Sequence, residues 1–243
     1  MKIYSLIPAL LIVFLALPTP SAFAEIGDLF KGVKSFLGGG ELSDKKIIQG
    51  LKEALEIGTS NAVETVSKVH GYYKNPMIKI PLPGAVKKVE RILRGVGYGP
   101  QVDAFELSMN RAAEKAAPEA KALFWETIKK MSFTDARKIL NGRDNEATLY
   151  FKEKTQDRLG QTFKPIVNTA MSEVGVTRSY QALDAKVRSI PFADNLSFDL
   201  DKYVTNRALD GLFFMLAEEE RKIRQNPAAR VTDLLKEVFG KKR

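Results

Sequence analysis

Six consecutive apolar residues, Leu212 to Ala217, stand inside the segment Asp199–Arg224. A run of that length turns through every direction of a 3.6-residue helix, so a helix carrying it cannot keep one face in water. The segment is therefore expected to be the central helix of the fold. Gly211 precedes the run; glycine in a helix interior costs about 1 kcal/mol relative to alanine, and the usual reason for it is close approach by a neighbour. From Glu218 the sequence turns to charge, and the helix is expected to emerge into water there.

Helical spacing recurs along the rest of the chain. Ile47, Ile48, Leu51, Leu55, Ala62, Val66 and Val69 predict one long helix from Asp44 to about Val69, capped by Ser43 and weakened at Gly50 and Gly58. Pro76, Pro81 and Pro83 make the next stretch an extended connector. Beyond it Val86, Val89, Leu93 and Val96 fall on one side of a short helix, with Lys87, Arg91 and Arg94 opposite. After a glycine-rich break, helix resumes at Gln101 with Val102, Phe105, Met109, Ala112 and Ala116 inward, and Pro118 opens a further helix through Leu123, Phe124, Ile128 and Met131. Ser132 and Asp135 stand at capping-box spacing before Phe133, Ala136, Ile139 and Leu140, and Asn141-Gly142 stops that helix. Asp144 is expected to cap a helix through Ala147, Tyr150 and Phe151, with a break or kink near Gly160 and Pro165 before Phe163, Ile166, Val167, Ala170 and Val174. Val176 to Val187 predicts another helix, ended by Pro191. Asn226 and Pro227 open a last helix carrying Val231, Leu234, Leu235, Val238 and Phe239. No strand alternation occurs. The fold class is all-α, a single-domain bundle of roughly eight to ten helices around the buried C-terminal helix.

A chain of 243 residues that is 44% hydrophobic can bury a sizeable core as one domain. Its first residues read differently. Lys2, the apolar stretch Ile3–Leu17, and the small-x-small triplet Ala22-Phe23-Ala24 form a signal peptide over residues 1–24, too short in its apolar part to span a bilayer comfortably. The expected organisation is that leader, a flexible arm at 25–42 ending in three glycines, a helical domain at 43–240 and a basic tail at 241–243. Export to the periplasm follows. With no cysteine, lipoprotein attachment, thiol catalysis and thiolate metal ligation are excluded.

The formal net charge is +9, and it is unevenly placed. Lys74, Lys79, Lys87, Lys88, Arg91 and Arg94 face the single acid Glu90 between positions 74 and 94. An anionic lipid or other envelope component is the expected partner class; nucleic acid is not expected after export. Lys87, Lys88, Arg91 and Arg94 are the candidate anion-binding residues, and the competing reading is a surface helix whose basic side is merely solvated.

Chemistry-bearing constellations are sparse. His70 is the sole histidine, so any Ser-His-Asp triad would have to use it, and a lone helix-end histidine is more often a surface residue than a base. No metal, cofactor or catalytic set is expected. The remaining polar candidates are embedded in apolar helices: Asn110, Arg111 and Glu114, then Asp144, Thr148 and Tyr150, then Asp210 beside the apolar run. A buried carboxylate requires a partner, and Arg111 with Asp210 or Glu114 is a sensible pairing. These residues read as a structural network or as a polar ligand pocket.

Four separated segments, NPMIKIPLP, LSMNRAAEKAAP, ILNGRDNEATLYFKEKT and ALDGLFFMLAEEERKIRQNPAARVTDLLKEVFG, resemble a bacterial family known as domain of unknown function 4197. The resemblance spans about Ser43 to Gly240 and implies an exported, all-helical protein without an established activity. Arg143 departs from it, where a second glycine would follow Gly142. Three functions are consistent with these readings: a non-catalytic envelope protein binding a lipid, small ligand or partner protein; a carboxylate-based hydrolase or lyase acting on an envelope polymer; and a structural protein that self-associates.

Overall fold

In the computed structural model every regular element among the described residues is helical. Those residues are 44–173, 199–226, 230 and 232–240, and all fall within one unit, Ser43–Arg243. The elements are α1 (Asp44–Ser67), α2 (Gly84–Gly95), α3 (Gly99–Ala116), a 3-10 turn (Ala117–Glu119), α4 (Ala120–Lys130), α5 (Phe133–Asn141), α6 (Glu146–Glu173), α7 (Leu200–Gln225) and α8 (Asp233–Gly240). The expected cap at Ser43, the helix through Val176–Val187, the leader, the arm and the basic tail lie outside the described residues.

Local chemistry accounts for the helix ends. Ser132 Oγ accepts from the Asp135 N–H while Asp135 Oδ2 accepts from the Ser132 N–H, so the capping box forms with aspartate as its return partner. Asp199 caps α7 by accepting from the Lys202 N–H at 2.8 Å. At the other end of α7, Arg230 donates to the carbonyls of Ile223 and Arg224, groups that a helix terminus leaves without helical partners.

The core is built on α7, whose most extensive packing is against α6 and α1, followed by α3. Leu212, Phe213 and Leu216 of the apolar run are buried, but Phe214, Met215 and Ala217 are half-buried, so the run is not enclosed on all sides. Gly211 meets the expectation of close approach. A Cβ there would stand 2.6 Å from Cε1 of Tyr72, a side chain with no exposure. The Tyr72 hydroxyl donates to the Ala208 carbonyl at 2.6 Å, fixing the connector to α7 one turn before that glycine.

Two expectations are corrected. No break interrupts α6, which runs through Gly160 and Pro165. Leu159, Phe163, Val167 and Ala170 continue one buried stripe across the proline. Pro165 and Gln161, whose carbonyl loses its helical partner to the proline, are both exposed. Nor does α7 leave the core at Glu218: Glu219, Glu220 and Ile223 are buried.

Candidate functional site

The connector after α1 is held by side chains of α3. Asn110, fully buried, accepts from the Ile80 N–H at 2.8 Å through Oδ1. Its Nδ2 donates to the Ile80 carbonyl at 2.9 Å and to the Glu106 carbonyl at 2.8 Å. The amide thus pairs with one residue of extended backbone as a neighbouring strand would. One turn on, Glu114 is 4% exposed and its Oε1 accepts from the N–H groups of Tyr72 and Tyr73 at 3.1 and 3.3 Å. Arg111 Nη1 donates to the other carboxylate oxygen. The carboxylate therefore has the charged partner that burial demands.

Arg111 also reaches His70. Its Nη2 lies 3.1 Å from Nδ1 and 3.3 Å from Nε2. A guanidinium can only donate, and its positive charge beside the ring disfavours the imidazolium. Burial, reinforced by Arg111 and Lys74, lowers the His70 pKa. The histidine occupies the left-handed backbone region, φ +69°, just beyond α1. The next position must be glycine, because a Cβ at Gly71 would stand 2.5 Å from the Thr65 carbonyl oxygen. On the same side Lys79 lies over the Tyr73 ring and pairs with Glu106 at 2.7 Å.

A second buried carboxylate closes the start of α6. Glu220, 7% exposed, accepts from the N–H of Ala147 and of Thr148 and from the Thr148 hydroxyl, each at 2.9 Å. It also accepts from Arg224 Nε and Nη2 at 3.0 and 2.8 Å, and Arg224 donates to the Ile139 carbonyl at 2.8 Å. A residue of α7 thus caps α6 across the tertiary interface, with an anion at the positive end of the helix dipole. Asp144, the expected cap, is exposed and accepts from Gln225 instead. Glu146, also buried, accepts from Arg143, which holds its carboxyl below the usual range. Arg143 has no positive φ, so the turn after Gly142 does not require a second bare backbone.

The seven polar candidates do not converge on one pocket. Asn110, Arg111 and Glu114 form the connector clamp, whereas Thr148 joins Glu220. Tyr150 is half-buried against Phe151, its phenol pKa raised by burial and then by Asp135. Asp210 is exposed, so of the two pairings expected for Arg111 only Glu114 forms. Glu219, Glu220 and Arg224 escaped the sequence reading because they stand in a run of charge. The signal was there in the spacing: Leu209, Leu212, Leu216 and Ile223 define a stripe that passes through Glu219 and Glu220. Beside this clamp is a cavity of about 20 Å³, room for roughly one water, lined by Leu51, Gly58, Leu216, Ile223, Glu220 and Arg224.

The basic helix α2 buries Val86, Val89 and Leu93. Lys87, Lys88 and Arg91 are exposed. Lys87 pairs with Glu90 at 3.6 Å, and Arg94 donates to Glu90 at 3.0 Å and to Asp103 at 2.7 Å, tying α2 to α3. Two aliphatic residues on α2 and its end are exposed, Ile92 at 46% and Val96 at 54%. No described helix is long and apolar enough to cross a membrane.

A buried polar framework inside an all-helical body and a basic outer helix define the class of molecule. Residues 41–240 match the model of the family described as "Protein of unknown function (DUF4197)", and the chain belongs to that family. Comparison with curated proteins finds no match, and neither does comparison with solved structures.

Proposed function

We propose that this protein is a non-catalytic binding protein of the cell envelope, delivered by cleavage after residue 24 and acting through its surface. The exported body is residues 43–240, a single bundle of eight to ten helices around the central helix α7. The observation that carries this reading is the fate of the buried polar groups. Asn110, Glu114, Thr148 and Glu220 are each turned onto main-chain N–H or carbonyl groups of a neighbouring element or onto each other. A carboxylate buried at a helix interface and engaged by several donors of the chain itself lacks the access that acid–base work on a polymer needs.

Amide replacement tests it. Glu220→Gln places an NH2 group against donors, and breaking a buried charged pair costs roughly 3 kcal/mol. For a domain of this size the melting temperature should fall by about 10 °C. Glu114→Gln should behave similarly. Hydrolysis of peptidoglycan and phospholipid substrates should stay at background in the parent and in both variants. An activity in the parent that disappears in a variant still folded by circular dichroism would establish the alternative, a carboxylate-based hydrolase or lyase.

A further inference from the structure

We infer that the seat of α8 on α1 is a self-recognition surface: α8 of one copy docks on α1 of a second copy, in place of that copy's own helix, and the exchange is reciprocal. This rests on the reading that the protein acts through its surface, and it names the partner, another copy of this chain.

The seat is shaped for α8. Gly50 is buried in the interior of α1, where glycine is disfavoured against every residue but proline. A Cβ there would stand 2.6 Å from Cγ2 of Val238 and 3.0 Å from Cγ of Leu234, so the bare backbone is what lets α8 come down onto α1. Leu234 and Val238, four positions apart, lie on one side of α8 and straddle that glycine. Gly58, two turns further along α1, makes no such demand, since a Cβ there would meet its nearest neighbour at 3.5 Å.

The hold on α8 is shallow. Its packing is chiefly against α1. Leu234 and Val238 stay half-exposed in the seat, and none of the described side chains of α8 is buried. Leu51 and Ala54 of α1, at 1% and 2% exposure, belong to the body and remain when α8 leaves. The chain is gripped just before the helix, where Arg230 donates to the carbonyls of Ile223 and Arg224 at 3.0 and 2.8 Å. Residue 230 therefore stays with α7, and α8 turns away beyond it. An element with so few buried contacts opens locally before the body unfolds.

An opened copy presents both halves of the contact, an empty seat at Gly50 and an uncovered Leu234–Val238 pair. A second opened copy matches both at once, and two exchanged helices restore every contact of the closed chain, so the dimer needs no new interface. An unrelated amphipathic helix would fill the seat but leave α8 uncovered. The tether gives each α8 an effective concentration on the order of millimolar at its own seat, so exchange is a minor state at micromolar protein and grows with concentration.

The test traps the exchange between copies. The chain has no cysteine, so Gly50→Cys and Val238→Cys, made in separate copies and mixed, can join 50 to 238 only between molecules. The two Cβ atoms would lie within about 4 Å, the reach of a disulfide. Under mild oxidation the 50–238 link, read by peptide mass spectrometry, should exceed by about tenfold the link from Val238→Cys to Gln156→Cys, an exposed site on α6. Its fraction should rise about tenfold between about 10 and about 100 μM protein. A complementary pair removes the competing tether. Gly50→Leu blocks the seat and frees its own α8, while Leu234→Ser with Val238→Ser leaves the seat open and its own α8 disabled. Each alone should sediment as a monomer with helical circular dichroism, and the mixture should form a heterodimer at about 100 μM. A 50–238 link no more abundant than the control, a fraction independent of concentration, or a mixture that stays monomeric would overturn the assignment. So would capture of the Gly50→Leu copy by phosphatidylglycerol vesicles in preference to the complementary copy, which would assign the freed helix to a lipid surface. The amide replacements at Glu114 and Glu220 do not touch α8, so their outcome stands separately.

Discussion

At the scale of single residues, His70 is a titratable group whose neutral form the fold prefers. Burial disfavours the imidazolium, Arg111 and Lys74 add repulsion, and Glu114 opposes them only in part. The native pKa lies below the ordinary 6.5, so the unfolded chain takes up a proton first. Stability should then fall as the pH drops through 6.5 and level off below the native value. Glu126 marks a second window. Arg158 and Lys130 hold its pKa down to about 2, so its contribution is present above 4.5 and lost as the pH falls toward 2. Urea unfolding across this range should show both limbs. His70→Asn keeps a residue tolerant of the left-handed region and should remove the upper limb alone. An upper limb of undiminished slope in that variant would place the titrating group elsewhere.

At the scale of elements, two glycines inside helices should respond to alanine with opposite sign. Gly160 of α6 has its nearest neighbour, Leu209 Cδ1, 4.0 Å from the site of an added Cβ. Gly160→Ala should stabilise the fold by about 1 kcal/mol through helix propensity. Gly211→Ala gains the same propensity but drives a methyl to 2.6 Å from the buried Tyr72 ring, a net loss of about 1–3 kcal/mol. Thermal melting of the two variants checks both, and a stabilised Gly211→Ala would mean that the connector does not sit against α7.

These elements also show what the sequence makes legible. Periodicity identifies α1, α3 and α5 nearly to the residue, because each has one buried stripe that its own sequence encodes. The capping box at Ser132 is legible for the same reason: both partners are local. The cap of α6 is not, because its donor groups at 147 and 148 are met by Glu220, more than seventy positions away. Proline 165 misleads because its breaking effect is local, whereas the packing of Leu159, Phe163 and Val167 that overrides it is tertiary. Asn110 and Glu114 are recognisable from composition as unusual polar residues on an apolar helix. That they grip backbone rather than a ligand depends on where the connector lies.

At the scale of the whole molecule, the buried polar residues and the basic surface have separate tasks. The first hold the chain in place: the connector on α3 through Asn110 and Glu114, and α6 on α7 through Glu220. The second faces outward on α2, where Arg94 ties the helix to Asp103 on α3.

Native mass spectrometry of the chain purified without detergent, with Asn110→Ala and Glu114→Gln measured alongside, tests this division most directly. The mass of the polypeptide alone is expected for all three, with the two variants distinguished from the parent by their lower melting temperatures. A stoichiometric small-molecule adduct on the parent that vanishes from a folded Asn110→Ala or Glu114→Gln protein would contradict it. In that case the clamp around His70 and Arg111 would be a ligand site.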